Sequence, residues 1–428
     1  MRKTINIGDL GTIITGKTPP TTNKNYYGDY AVFIKPTDIS EHSKYTYETE
    51  EMYSKLAAEK YESSLIPKGA ICVPCIGTVG TKMTMAPCDC YTNQSINSII
   101  CNENYDNEYV YYLIKNFLPG LKAYNLGTAS GREYVSKSNF EKIELVAEQD
   151  KEIQKKIGII LSRYDSLIEN YQTQIKLLEE AAQRLYKEWF IDLHFPGHEN
   201  TNIVDGVPVG WEKKKISDVC TMIGAGSTPS RRNNAYWDDG NIRWVKTKEL
   251  LDNWIFDTEE YITEEGLNNS STKMFPVNTI LMAIYASPTL GRLGILAQEC
   301  CCNQAALGLV ANEKLISWVW LYLKLFELRD EFNAVARGAG QQNISGVVVK
   351  NWEITVPNKK TIEDFAKMAK PYFENAKSLQ SQLRLLTEAR DRLLPKLMSG
   401  ELTLEARAEK EDLLATPCKR GWEEDEAK

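Results

Sequence analysis

The sequence predicts a mixed α/β protein built from two tandem globular domains of one plan. A long helix separates the domains, a second long helix follows them, and the two helices pair as a coiled coil. Two observations carry this prediction. First, the chain repeats itself. Thr15-Gly16-Lys17-Thr18-Pro19-Pro20 returns as Gly226-Ser227-Thr228-Pro229, and Asn93-Gln94 returns as Asn303-Gln304, each with an offset of 210 residues. Second, each copy is followed by a run in which apolar residues recur at alternating steps of four and three, the spacing of a heptad seam. An offset of 210 residues far exceeds the roughly 20–50-residue unit of a solenoid. It marks a duplicated domain, and hence a protein that binds something at two places.

Residues 1–148 form the first copy. Short β-branched runs (Tyr30 to Ile34, Ala70 to Val73, Ser98 to Ile100) alternate with Gly, Pro and Asn punctuation, and a helix is expected from Asn107 to Phe117. Residues 149–207 hold the first long helix and a linker. Its seam runs Ile157, Leu161, Tyr164, Ile168, Tyr171, Ile175, Leu178, Ala182, Leu185, Trp189, without a miss. From Phe190 to Pro208 the chain is a loop rich in Gly, Pro, Asn and His. Residues 208–357 repeat the domain, with strands at Ile242 to Val245 and Thr279 to Ile284 and a helix around Ile316 to Phe332. Residues 358–403 give the second seam: Phe365, Ala369, Tyr372, Ala376, Leu379, Leu383, Leu386, Arg390, Leu393, Leu397, with one charge intruding at Arg390. Pro371 should bend this helix near its start or mark where it begins. Helices of about 35–40 residues span about 55–60 Å at 1.5 Å per residue. Two seams of equal length in one chain should pair with each other. The plainer alternative is that each helix packs on its own globular domain. Residues 404–428 are charged and low in aromatics, a composition that predicts disorder.

Composition excludes some functions. With 43% hydrophobic and 25% charged residues the chain reads as soluble and globular. No stretch of about 18 apolar residues suggests a membrane span, and the start, MRKTINIGDLG, lacks the apolar core of a signal peptide, which points to the cytoplasm. The ten cysteines are then expected as thiols. The net charge of −7 is unfavourable for nucleic-acid binding, since phosphate contacts need a basic face. Nine acidic against five basic residues from Glu401 onward carry part of the excess. A DNA-binding surface must therefore be local, or be completed by a basic partner.

Catalysis finds little support. The three histidines are His42, His194 and His198, two of them in the linker loop, and no phosphate-cradling G-x-x-x-x-G-K-[ST] loop occurs. Metal binding could use Cys72, Cys75, Cys88 and Cys90. Counting 210 residues on from the first two reaches Met282 and Tyr285, so a zinc that organised both copies would lack ligands in the second. Buried thiols are the expected reading, with no metal.

Nucleic-acid recognition has diffuse but repeated support. After the first strand of each copy stands a flexible loop with cations, Lys17, Thr18 and Lys24 against Ser227, Thr228, Arg231 and Arg232. Lys35 and Lys246 each follow an aromatic-led strand. Lys82 and Arg292 stand in glycine-bearing loops after the central strand. The last loops offer Arg132 in one copy and Gln341 and Gln342 in the other. Such side chains match base edges and phosphates, although any one of these loops alone could be ordinary surface. Asn93-Gln94 and Asn303-Gln304 could read adenine or tie down a loop, and the structural role is the favoured one.

Three further strings carry a resemblance: Leu177 to Phe190 (LLEEAAQRLYKEWF), Val207-Pro208-Val209-Gly210-Trp211, and Arg392 to Leu402 (RLLPKLMSGEL). With the two-domain, two-helix plan, they make the chain resemble the specificity subunit of Type I restriction-modification systems over about residues 4–403. The resemblance implies a non-catalytic chain whose domains are target-recognition domains, each reading half of a bipartite, asymmetric site in double-stranded DNA. It implies that the helices form an antiparallel coiled coil relating the domains by a pseudo-two-fold. That coil would dock two modification subunits through a seam that includes Ile157, Leu161, Tyr164, Ile168, Tyr171, Ile175, Leu178 and Leu185, with Tyr372, Leu379, Leu383, Leu386, Leu393 and Leu397. Those subunits, not this chain, would bind S-adenosylmethionine and methylate adenine N6 in a flipped base. A restriction and translocase subunit joins where the system cleaves. The competing reading is an assembly scaffold whose domains bind proteins instead of DNA, with the acidic balance in its favour.

Overall fold

The computed structural model describes residues 2–41, 43–125, 127, 133–285, 289–338 and 343–404. His42, Arg132, Gln341, Gln342 and nearly all of the acidic tail lie outside the described residues. The chain divides into two compact units, 1–170 with 385–428, and 171–384. Neither long helix stands apart as a module; each contributes one part to each unit.

In the first unit a four-stranded antiparallel sheet runs in the order Gly11–Thr15, Ile96–Cys101, Ile71–Pro74, Thr84–Met85. A three-stranded sheet of Met52–Tyr53, Tyr27–Ile34 and Tyr91–Thr92 accompanies it, its last pair parallel. Arg2–Asn6 pairs with Glu144–Glu148 and brings the two ends of the domain together. The expected helix is found at Asn107–Phe117. The Asp106 carboxylate caps it by accepting from the Tyr109 N–H at 3.0 Å. Its apolar face (Tyr109, Val110, Leu113) packs into one core with Ile71, Val73 and Ile99 of the sheet. Ile157 and Leu161 from the first long helix join that core, as do Leu394, Leu397 and Met398 from the second.

The second unit repeats this frame. Its five-stranded sheet runs Cys220–Ala225, Ala306–Ala311, Ile280–Ala283, Leu293–Leu296, Asn253–Ile255, and its three-stranded sheet Glu260–Ile262, Ile242–Val245, Cys301–Cys302. Glu212–Lys215 closes on Glu353–Val356. The expected single helix around Ile316 to Phe332 is two, Trp318–Glu327 and Arg329–Gly338. Val207 and Pro208 of the marker string pair with Val204 and Ile203 in a short hairpin. Trp211, at the string's end, packs on Phe195 and Phe190 with ring centres 5.2 and 5.9 Å away.

The long helices are Lys151–Phe190 and Lys359–Ser399, of 40 and 41 residues. Asp150 caps the first by accepting from the N–H groups of Glu152 (2.9 Å) and Ile153 (3.3 Å), and Asn358 caps the second through Thr361 at 3.0 Å. Pro371 does not mark the start of the second helix, which begins twelve residues earlier. Pro371 and Lys367, whose carbonyl loses its partner, are both exposed, so water can satisfy that carbonyl. At the far end Gly400 takes φ +82°, a left-handed conformation that ends the helix, and the Leu402 N–H reaches back to the Lys396 carbonyl at 3.1 Å.

No seam position in either helix is exposed. Within the second unit the helices run antiparallel: Tyr186, Trp189 and Phe190 meet Phe365, while Leu177 and Leu178 line a groove with Ser378 and Leu379. The two alternatives left open by the sequence both hold. The helices pair, and their ends are also built into the domain cores.

Candidate nucleic-acid interface

The described parts of the loops singled out in the sequence converge at one edge of each unit, where the strands of both sheets end. In the first unit the Cys75 N–H donates to Ser95 O (2.7 Å) and the Val135 N–H to Cys75 O (2.9 Å), which ties three loops together. Lys82 joins a fourth, its ammonium donating to Ile39 O at 3.1 Å. The second unit repeats the first two bonds as Ile284 N–H to Ala305 O and Ile344 N–H to Ile284 O, both 2.9 Å. This register corrects the residue matching for the central strand, where the offset is 209. Leu281 and Ile284, not Met282 and Tyr285, stand where Cys72 and Cys75 do, because the loops leading into the strand differ by one residue. Burial pushes the Cys72 and Cys75 thiols up to about 11 and about 12, which disfavours the thiolate a metal requires.

At the centre of each edge is a corner built the same way twice. The Gly16 N–H donates to Ile96 O (3.2 Å) and the Lys17 N–H to Thr92 O (2.9 Å). The second unit has Gly226 to Ala306 O (3.1 Å) and Ser227 to Cys302 O (3.0 Å). A Cβ at Gly16 would lie 2.1 Å from Thr92 O and one at Gly226 1.9 Å from Cys302 O, so this approach admits glycine alone. Asn93 and Asn303 are structural: each side-chain oxygen accepts the N–H two residues on, at 3.0 and 3.2 Å. Their neighbours behave differently. Gln94 and Gln304 are exposed, and each side-chain carbonyl accepts the hydroxyl proton of Thr18 or Thr228.

The remaining candidates divide by what holds them. Lys35 and Lys246 are not isolated cations. Lys35 lies on Glu50 and Glu51 (2.7 and 3.2 Å) and Lys246 on Glu259 and Glu260 (3.0 and 2.8 Å). Burial works against the Lys35 ammonium, but its bonds to the two carboxylates outweigh it and raise the pKa. Bonding to Glu260 and Glu259 raises that of Lys246. Arg231 is bonded to Glu260 and lies over Trp237, its guanidinium carbon 3.5 Å from the ring centre. Lys17, Lys24 and Arg232 are exposed. Among the described residues, Lys17 reaches only Ser63 Oγ, at 3.5 Å, and the guanidinium of Arg232 has no partner. Arg292 is half-buried beside Gly291, and the Ser227 hydroxyl is engaged by Ser271 at 2.9 Å. The sequence offered these glutamines as readers of adenine or as loop ties, and their bonds to Thr18 and Thr228 bear out the tie; the threonine partners themselves were not foreseen.

The model of the Type I restriction modification DNA specificity domain matches this chain twice, at residues 2–180 and 208–384. The chain belongs to that family. The Type I restriction enzyme MjaIX specificity subunit of Methanocaldococcus jannaschii is 28% identical over 408 residues, 93% of either chain. The HindI specificity subunit of Haemophilus influenzae is 37% identical over 316 residues, 59% of this chain and 68% of its own. The fold is similar to a solved S subunit of a Type I restriction-modification system from M. genitalium. That likeness has a TM-score of 0.61 at 15% identity and covers 93% of this chain and 96% of the other. The family is one of DNA specificity, and its members named here are specificity subunits, which are non-catalytic. Among the described residues no helix is long and apolar enough to cross a membrane.

Proposed function

We propose that this chain is the part of a Type I restriction-modification methyltransferase that chooses the DNA sequence, each unit reading one half of a bipartite, asymmetric site in double-stranded DNA. The observation that carries this reading is the corner described above: one backbone frame built twice, with different side chains around it. Arg231 and Arg232, for instance, stand where the first copy has Thr21 and Thr22. Different surroundings on a common frame suit two unlike half-sites. Two modification subunits would dock on the paired helices, bind S-adenosylmethionine and methylate adenine N6, with a restriction subunit added for cleavage. They would also supply phosphate contacts that a chain of net charge −7 lacks.

Methylome sequencing of cells with and without the chain tests the reading: a two-part motif whose methylation depends on the chain is expected, and its absence sinks the proposal. Arg232→Ala should weaken binding through the second half-site alone, by about tenfold for one phosphate or base contact. Gel shifts of the complex on duplexes with either half scrambled check this. Arg231→Ala is a poorer probe, since it also uncovers Trp237.

A further inference from the structure

We propose that Gln94 and Gln304 contact the sugar–phosphate backbone, each held by its threonine so that the side-chain NH2 points outward, and that neither reads a base. The inference rests on the DNA-reading role above and deepens it. Direct readout of adenine by a glutamine amide uses both ends of the amide, its oxygen accepting from N6–H and its nitrogen donating to N7. Here the oxygen already accepts the hydroxyl of Thr18 or Thr228. What remains is the nitrogen with two hydrogens, which has no partner in either copy among the described residues. A phosphate oxygen, which only accepts, suits such a group.

The second argument is symmetry of construction. The same glycine approach, the same asparagine turn and the same threonine–glutamine bond recur in both units. The surrounding side chains do not recur: Tyr53 donates to Lys17 O at 2.5 Å, whereas Trp244 Nε1 donates to Ser227 O at 2.9 Å. A base-reading group repeated in place would demand the same base at the same point of both half-sites. A backbone contact makes no such demand, because the phosphate is the one thing that every half-site shares. Exposed cations stand nearby in sequence in each copy, Lys17 and Lys24 in one and Arg232 in the other. They add charge without changing the logic.

The test uses the full chain reconstituted with its modification subunits, on duplexes carrying the mapped site, on duplexes with single base changes, and on unrelated sequence. Wild type should discriminate among them. If it does not, the DNA-reading role fails, and this inference with it, before any variant is weighed. Gln94→Glu and Gln304→Glu keep an acceptor for the threonine but replace the NH2 with a charged oxygen. Each should lower affinity for mapped and unrelated DNA by the same factor, about tenfold or more. Gln94→Lys should recover affinity on both, with a salt slope steeper by about one. Three results overturn the proposal. In the first, the Glu variant loses discrimination at one base pair, which makes the glutamine a base reader. In the second, it melts and binds as wild type does. In the third, Gln94→Lys fails as badly as Gln94→Glu, so that the residue only ties the loop.

Discussion

Where the long helices enter the first unit, the packing is polar at its centre; at the matching place in the second it is aromatic. The capping residues Asp150 and Asn358 are 208 residues apart, and at that offset Asp165 corresponds to Phe373 and Ala182 to Arg390. In the first unit Asp165, buried in the first helix, accepts from Arg390 of the second at 2.7 Å and from the Tyr112 hydroxyl at 2.6 Å, with Lys115 at 3.9 Å. In the second unit Phe373 sits edge-on to Trp318 and Tyr322, with ring centres 5.4 Å away in both cases, and buried Ala182 takes the place of the arginine. The intruding charge of the second seam is therefore a partnered one. Aromatic burial stabilises outright, whereas a buried ion pair barely offsets its desolvation and is worth most against breakage. It also admits one register only, since a seam slipped by a turn would strand both charges. Duplication supplied two equal sockets, and each has been filled by a different physical strategy.

Breaking the polar side should have the largest effect. Arg390→Ala leaves Asp165 buried with reduced compensation and should cost about 3–5 kcal/mol. Hydrogen exchange should show the loss in the first unit, and protection unchanged there would refute the polar account. Installing the other unit's solution, Asp165→Phe with Arg390→Ala, should recover most of that stability, because apolar replacement of a whole buried pair is often neutral. Phe373→Ala should cost about 3 kcal/mol through the cavity it leaves, confined to the second unit. A smaller effect depends on pH. Burial, with Asp252 nearby, pushes the Glu179 carboxyl up to about 7. The folded state then holds this proton more tightly than the unfolded chain. Stability is fullest below the ordinary glutamate range and declines as pH rises through about 7. Glu179→Gln should accordingly melt higher than wild type at pH 8 and equally at pH 4; equal melting at both would deny the burial. Smallest are the caps, where Asp150→Ala and Asn358→Ala should each cost about 1 kcal/mol in thermal melts.

Much of this was legible in the sequence because it is periodic. Seams with steps of four and three located both long helices, and the helix expected from Asn107 to Phe117 lies where the sequence placed it. The partners of isolated charges were not legible. Asp165 sits one residue off the seam, so the periodicity that exposed Arg390 hid its mate. Lys35 and Lys246 read as DNA contacts because their carboxylates stand about fifteen residues downstream, across a loop whose path no local rule fixes. The glutamines were visible as a repeat, but only the threonine hydroxyl bonded to each carbonyl shows which end of the amide is left over.

The Arg2 guanidinium donates to Leu397 O at 2.9 Å and Met398 O at 3.0 Å, fastening the beginning of the chain to the end of its last helix. Residues 171–384 form their unit from one uninterrupted stretch, whereas the other unit needs residues nearly four hundred positions apart. On the ribosome, the core of the domain made first stays incomplete until Leu394, Leu397 and Met398 emerge. The usual N-to-C order of domain folding is then reversed. A chain truncated by its last twenty described residues would lose the closure of its first domain before anything in its second.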